Sequence, residues 1–274
     1  FTVVKIRKSF PGQAVKVMHS LWGAGQMMFN KVLIVTDEEV NIQNPEDLKS
    51  AFLKNFNPEY SFHFSKGPLD VLDHSSQKFA FGSKLGIDLT GSFEEEKDEA
   101  VKQDKTPVKN IQPDFSQIKE IAKWHDLQQD YGFPALLIAL KKDDSFRKSA
   151  FIDAVLKAKG VENYRVVLLF NEGADLIDLF SLFWLLGGNL EPDRDVDILK
   201  SENGCEIVFV DATFKTENHD NFKRDWPNVV TMNVETIDKV NKRWPELGIG
   251  EFIPSPSLKY LPLVKGEGAV RNQE

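Results

Sequence analysis

The amino-acid sequence predicts an α/β protein: two repeated βαβαβ units, with parallel or mixed sheets covered by helices. Three observations carry this. Short apolar segments alternate with amphipathic ones, the rhythm of strand–helix–strand folds. The central apolar runs, Lys31–Val35 (KVLIV) and Val166–Phe170 (VVLLF), show no polar alternation, so both faces of each must be covered, as in a parallel sheet. Finally, Thr2–Lys66 aligns on Leu136–Lys200 without a gap, at a constant offset of 134. The match is one of residue class more than identity. Val3, Val4 and Ile6 face Leu137, Ile138 and Leu140, Leu48 faces Leu182, and Pro58 faces Pro192. A duplication produces such a pattern; so do two units that share a rhythm because the architecture imposes it.

The elements follow in order. A strand is predicted at Thr2–Arg7, then a helix whose Ala14, Val17, Met18, Leu21 and Trp22 fall at spacings of three and four and make one apolar face. The run Lys31–Val35 is the next strand. A second helix starts at Asn44-Pro45, where Asn44 caps and Pro45 suits the first helical position. Asn57-Pro58 ends that region, and a third strand covers Ser61–Ser65. Gly91–Pro113 is strongly charged and poor in core residues, a linker. The organisation is therefore a first unit at 1–90, a linker at 91–113, and a second unit at 114–274 with an extended tail. A helix is expected from Phe115 to Gln129. Strands follow at Leu136–Leu140 and Val166–Phe170, with a helix between them whose face is Ala150, Phe151, Ala154, Val155 and Ala158. Leu176–Leu186 (LIDLFSLFWLL) reads as a buried helix. Strands are expected at Asp195–Leu199, Glu206–Val210 and Val229–Met232, and a helix at Val234–Arg243. The Pro- and Gly-bearing tail Ile253–Glu274 is expected to wrap a surface or a partner, then fray at its end. The units are expected as two lobes related by a rough two-fold.

Composition excludes several functions. The chain has 274 residues, 34 basic and 42 acidic, for a net charge of −8, which argues against nucleic acid as a partner. No apolar run approaches the ~18–20 residues needed to cross a bilayer. Cys205 is the single cysteine, so no intrachain disulfide forms, and a cytoplasmic setting is expected. The chain begins at Phe1, inside a predicted strand, and is expected to be a piece of a longer polypeptide.

Few residues carry chemistry on their own. Asp37, Glu38 and Glu39 follow a strand end, where ligands bind in open α/β sheets. They suit Mg²⁺ or a ribose, and equally a solvated turn; the lack of a Gly-rich phosphate loop favours the turn. Glu94–Glu96 reads as a solvated acidic stretch. Gly23–Met28 (GAGQMM) combines backbone freedom with soft apolar side chains, a wall for a flat ligand or a helix end with core methionines. Asp70, Asp73 and His74 cluster, and a carboxylate beside an imidazole makes a proton carrier; a structural histidine fits as well. His19, His63, His125 and His219 show no metal-ligand spacing. Ser83 and Lys84, between Gly82 and Gly86, suit an anion or a surface turn.

Three peptides go further. PGQAVKVMHSLWGAGQMMFNKVLIVTDEEVN (Pro11–Asn41), GPLDVLDHSS (Gly67–Ser76) and GSKLGIDLT (Gly82–Thr90) together resemble, in order, the C-terminal region of the UbiD family of non-oxidative decarboxylases. The resemblance covers the first third of the chain; the second unit is similar, less specifically, to the long tail of members from bacterial quinone pathways. It implies a full-length carboxy-lyase acting on aromatic or α,β-unsaturated acids with prenylated FMN and Mn²⁺. The family's catalytic and cofactor-holding residues lie mostly in a preceding flavin-binding domain that has no equivalent here. On that basis this piece is inactive alone, holds no catalytic or metal-ligating residue, covers the flavin pocket and supports homo-oligomer contacts. The resemblance places Gln26, Met27 and Met28 toward the substrate, with Asp73, His74, Ser83 and Lys84 as further wall residues. Some members offer a basic residue to the flavin phosphate from the helix–strand loop, and Gly23–Met28 contains none. The alternative is a non-enzymatic α/β oligomerisation module.

Overall fold

The computed structural model describes residues 1–96, 112–200, 204 and 206–271. Among them nine strands form two mixed sheets, so the predicted α/β class is borne out. The first sheet contains β1 (Thr2–Ile6), β2 (Val32–Asp37), β3 (Phe62–Pro68) and β4 (Phe81–Leu89) in the order β1-β2-β4-β3. β1, β2 and β4 are parallel, and β3 closes the edge antiparallel to β4. The second contains β5 (Ile121–Asp126), β6 (Ala135–Leu140), β7 (Val166–Asn171), β8 (Val196–Lys200) and β9 (Glu206–Asp211) in the order β5-β6-β7-β9-β8. The helices are α1 (Gln13–Trp22), α2 (Pro45–Asn55), α3 (Pro58–Ser61), α4 (Leu127–Tyr131), α5 (Lys148–Lys157), α6 (Leu179–Asn189), α7 (Pro192–Asp195), α8 (Glu217–Asp220) and α9 (Val234–Leu247). None is long and apolar enough to cross a membrane among the described residues.

Local chemistry accounts for many boundaries. Asn44 accepts a hydrogen bond from the Glu46 amide and Pro45 opens α2; Asn57 and Pro58 do the same for α3. Asp178 caps α6 through the Ser181 amide. In α1, Ala14, Met18 and Trp22 lie four residues apart and are the buried positions.

The repeat is visible in the strand registers. Thr2 pairs with Leu33 and Leu136 with Val167, each 134 residues further on. In the next pairs, Val32 faces Leu85 and Val166 faces Val208, while Phe62 faces Ile87 and Val196 faces Val210. From β4 onward the offset is thus 123, because the 16 residues between the paired Lys66 and Ser83 have only the five of 201–205 as their counterpart. The two units also pack reciprocally. Lys31 Nζ donates to Leu190 O at 2.9 Å, and its counterpart Arg165 donates to Phe56 O, the counterpart of Leu190, at 3.5 Å. Phe52 of α2 enters the second unit's core, and Leu186, its counterpart, packs against Val32 and Leu85 of the first. Phe62, Ile87, Val196 and Val210 take part in both shared clusters. Such reciprocity is that of a two-fold dimer made within one chain.

Several expectations are corrected. Phe115–Gln129 is not a helix: turns lead into β5, which pairs antiparallel with β6, and only Leu127–Tyr131 is helical. Phe115, Ile118, Ile121 and Trp124 recur every three residues and imitate a helical face, yet all pack on the same core from turn and strand. β5 is also why β6 is buried at all six positions, whereas β1, an open edge, exposes Lys5. Val229–Met232 joins no sheet. Beside it Pro227 forms a single bridge with Val270, so the tail does wrap, around the second unit, with Leu263 in that unit's core. Leu176–Leu186 is only half a buried helix, since Phe180, Phe183 and Trp184 are exposed. Glu94–Glu96 forms a 3-10 turn whose Glu96 meets Lys8 at 2.7 Å. Cys205 and linker residues 97–111 lie outside the described residues.

Candidate functional site

Gln26, Met27 and Met28 sit where α1 hands over to β2 with Lys84 beneath them, while Asp73, His74 and Ser83 turn to other partners. α1 ends at Gly23, Gly25 takes a left-handed φ of +55°, and a 3-10 turn at Gly25–Phe29 presents Gln26, Met27 and Met28. Gln26 is exposed and both methionines are half-buried. A bare turn of five residues has few bonds of its own. This one is held from below by Lys84 of β4, whose ammonium donates to Met28 O at 2.6 Å and Asn30 O at 3.0 Å. Lys84 is 1% exposed, and its stem runs under Gly67, where an added Cβ would come within 3.1 Å of Lys84 Cε. Burial pushes the Lys84 ammonium down to about 8, with Asp73 opposing and Lys31 assisting.

Asp73 and His74 are neighbours in sequence that find different partners. Asp73 meets Lys31 Nζ at 2.8 Å and accepts from the Ser75 amide and hydroxyl at 2.9 and 2.7 Å. Burial alone would raise its carboxyl, but Lys31 and Ser75 hold it below the usual range. The His74 ring stands edge-on to Trp226, centroids 4.8 Å apart, with Nε2 3.5 Å from Asn189 Oδ1. Burial lowers its pKa, so at neutral pH it is an uncharged packing group. The proton-carrying pair read from the sequence is thus not assembled; Asp70 caps its own turn through the Leu72 amide. Ser83 points to the opposite face of β4 from Lys84, as neighbours on a strand must. Fully buried, it donates to Glu191 at 2.6 Å and accepts from the Asp193 amide, tying the units together.

Lys31, Asn189, Arg224 and Trp226 are partners the sequence reading missed. Arg224 donates to Ser76 O at 2.6 Å and buttresses the 69–80 connection. Lys31 stands inside the first quoted peptide, where an unpaired cation entering an apolar strand was a usable signal. Arg224 and Trp226 lie in an irregular segment and carry none. Asp37, Glu38 and Glu39 line an open crevice of about 710 Å³ with Lys8 and Lys54, at the carboxyl ends of β1, β2 and β4. Asp37 is engaged by the Gly91 amide at 2.9 Å.

No three His, Cys, Asp or Glu among the described residues converge to hold a metal. The cations nearest the turn, Lys31 and Lys84, are committed to Asp73 and to backbone carbonyls. These residues do not make a phosphate or Mn²⁺ site.

Residues 1–89 match the family model of the 3-octaprenyl-4-hydroxybenzoate carboxy-lyase C-terminal domain. An uncharacterized protein of Helicobacter pylori is 29% identical over 244 residues, 88% of this chain and 37% of that protein. One of Aquifex aeolicus is 38% identical over 96 residues, 35% of this chain and 20% of that protein. The chain thus spans little more than a third of the longer match. Among solved structures, the UbiD-class enzyme HmfF of Pelotomaculum thermopropionicum with FMN is 26% identical, covering 34% of this chain and 20% of that one, TM-score 0.30. Closed-form vanillic acid decarboxylase of Sedimentibacter hydroxybenzoicus is 24% identical, covering 42% and 23%, TM-score 0.34.

Proposed function

We propose, from the premise that residues 1–89 are a UbiD-type C-terminal domain, that this chain closes the active site of a non-oxidative decarboxylase. The substrate is an aromatic or α,β-unsaturated carboxylic acid, a prenylated hydroxybenzoate or a naphthoate of quinone pathways in this reading. Prenylated FMN and Mn²⁺ are held by a flavin-binding portion of the same longer polypeptide. Bound there, the flavin supplies the electron sink for loss of CO₂. This chain's own contribution is a wall. Met27 and Met28 offer a polarizable apolar surface that fits a flat ring, and the Gln26 amide is free to donate or accept at its edge. Closing the wall excludes water from the reacting carboxylate.

The observation that carries the reading is the pinned turn. A buried lysine is committed to one carbonyl of the five-residue turn and to that of Asn30, which follows it, inside the family-matched stretch, and the second unit has Ile207 at the equivalent position. Such an investment fits a surface that must keep its shape against a ligand.

The test is decarboxylation by the full-length protein, co-expressed with a prenyl-flavin synthase, set beside the 274-residue chain. CO₂ release by the full-length protein alone is the expected result, with Met27→Ala lowering kcat/KM about tenfold. Turnover by the 274-residue chain, or none by a flavin-loaded full-length protein across a panel of aromatic and unsaturated acids, overturns it.

A further inference from the structure

The repeated strand register supplies an internal control for one exposed apolar surface. α6 carries Phe180, Phe183 and Trp184 on its outer face, with Phe180 77% and Phe183 62% exposed. In the twin helix α2, the positions 134 residues earlier are Glu46, Lys49 and Ser50. There Glu46 and Ser50 are exposed, and Lys49, half-buried, pairs with Glu46 at 2.5 Å and donates to Tyr131 O at 2.8 Å. Both helices have capped N-termini and pack across the two-fold through Phe52 and Leu186. The fold therefore does not require aromatic residues at these sites. Adjacent exposed aromatics on a face whose twin is charged mark a surface that is covered in use.

What covers it follows from where the face leads. A groove of about 700 Å³ runs along Phe180, Phe183, Trp184 and Gly187. It continues, past Phe1 and Gly187, into a cleft of about 220 Å³ whose far wall is Phe29 and Asn30. Phe29 is the last residue of the turn that presents Gln26–Met28. The Phe1 ring bridges the two, edge-on to Phe183 at 5.5 Å. On the inner side, a Cβ on Gly188 would lie 3.7 Å from His74. Turn and aromatic face thus form one continuous rim, and a body seated against the turn also meets α6. The length is there too: the match to the Helicobacter pylori relative occupies only 37% of that protein.

We infer that the aromatic face of α6 is the docking surface for the flavin-bearing portion of the same polypeptide, so that the second unit extends the wall made by the first. This rests on the decarboxylase reading for the identity of the occupant. Phe and Trp anchors on a rigid helix suit a permanent intramolecular interface. The second unit thereby acquires a role: α6 broadens the seat, and the reciprocal interface holds α6 in register with the Gln26–Met28 turn.

Hydroxyl-radical footprinting of the full-length protein against the 274-residue chain tests it, at dilutions where both run as single species. Trp226, 1% exposed, and Val230, 89% exposed, serve as internal standards. Oxidation of Phe180, Phe183 and Trp184 should fall at least fivefold in the full-length protein while both standards stay constant. The triple variant Phe180→Glu, Phe183→Lys, Trp184→Ser copies α2. It should leave the melting midpoint of the 274-residue chain within about 2 °C, and in the full-length protein restore oxidation of Phe1 to its level in the 274-residue chain. Equal oxidation in the two proteins overturns the inference. So does protection that appears in the 274-residue chain as its concentration rises, which would make a second copy the occupant. Protection in a full-length protein that binds no flavin leaves the docking surface standing and removes the decarboxylase reading instead.

Discussion

The two units share strand order and register, yet they use the fold in opposite ways. Position for position, the first unit leaves space and the second fills it. Gly86 sits beneath Met18, so close that a Cβ would collide with the Met18 sulfur, whereas the counterparts are Phe209 and Ile152, both in the core. Gly91 donates to Asp37 at 2.9 Å beside an open crevice; its counterpart Phe214 donates to Asn171 at 2.8 Å and is itself buried. Lys84 reaches up to hold a turn, and its counterpart Ile207 packs. The 16 residues 67–82 that carry Asp73 and His74 have five, 201–205, as their counterpart in sequence. One feature is retained in both: Lys8 and Asp88 with Thr90 recur as Lys142 and Asp211 with Thr213. In the second unit this pair is enlarged into a buried charge network, with Lys215 at 3.3 Å from both Asp195 and Asp211. The difference teaches that one frame supports an open surface in the first unit and packing in the second.

That contrast can be broken most forcefully at Lys215. It is buried between two carboxylates and donates to the carbonyls of Asp211 and Thr213. Lys215→Met strands those acids, and a loss of about 3–5 kcal/mol is expected, read as a lower urea midpoint. Gly86→Val should cost about 1–3 kcal/mol by overpacking against Met18. Adding Met18→Ala should recover part of it, a coupling measurable in a double-mutant cycle. An additive pair would mean that the two cores do not share one site solved in two ways.

Lys84→Met should cost about 1–2 kcal/mol by leaving the Met28 and Asn30 carbonyls without a donor. Amide exchange should quicken in Gly25–Asn30 and stay unchanged in Val161–Asn163. The pH dependence has a definite sign. The folded ammonium, at about 8, titrates below its ordinary value of 10.5. Between those values the unfolded chain binds the extra proton, so stability from this group rises with pH. The wild-type protein should show that gain, and the variant should lose it. His74, also depressed by burial, acts at lower pH. Below its ordinary value of 6.5 only the unfolded imidazole takes up a proton, so the native state weakens as pH falls. His74→Phe should flatten the melting curve between pH 7 and 5.5. Lys54→Ala at the exposed end of α2 should change stability by less than about 0.5 kcal/mol, the smallest effect of the set.

The strand–helix rhythm, the Asn-Pro helix starts and the offset of 134 were legible in the sequence, because each depends on residues within one or two turns of each other or on plain repetition. The three peptides that resemble the UbiD C-terminal region were legible too, and they pointed to the turn at Gln26–Met28. Tertiary structure alone decided the rest. β4 is a glycine-bearing segment that becomes a strand because β2 and β3 flank it, and only then do Ser83 and Lys84 face opposite ways. Asp73 turns to Lys31 and His74 to Trp226 because side chains far apart in sequence meet there. The helical spacing at Phe115–Trp124 yielded to pairing with β6, since ladder hydrogen bonds and a shared core outweigh a weak local propensity. The outer face of α6 became meaningful only once the two-fold set it beside α2, because exposure is a property of what packs nearby and no single segment encodes it.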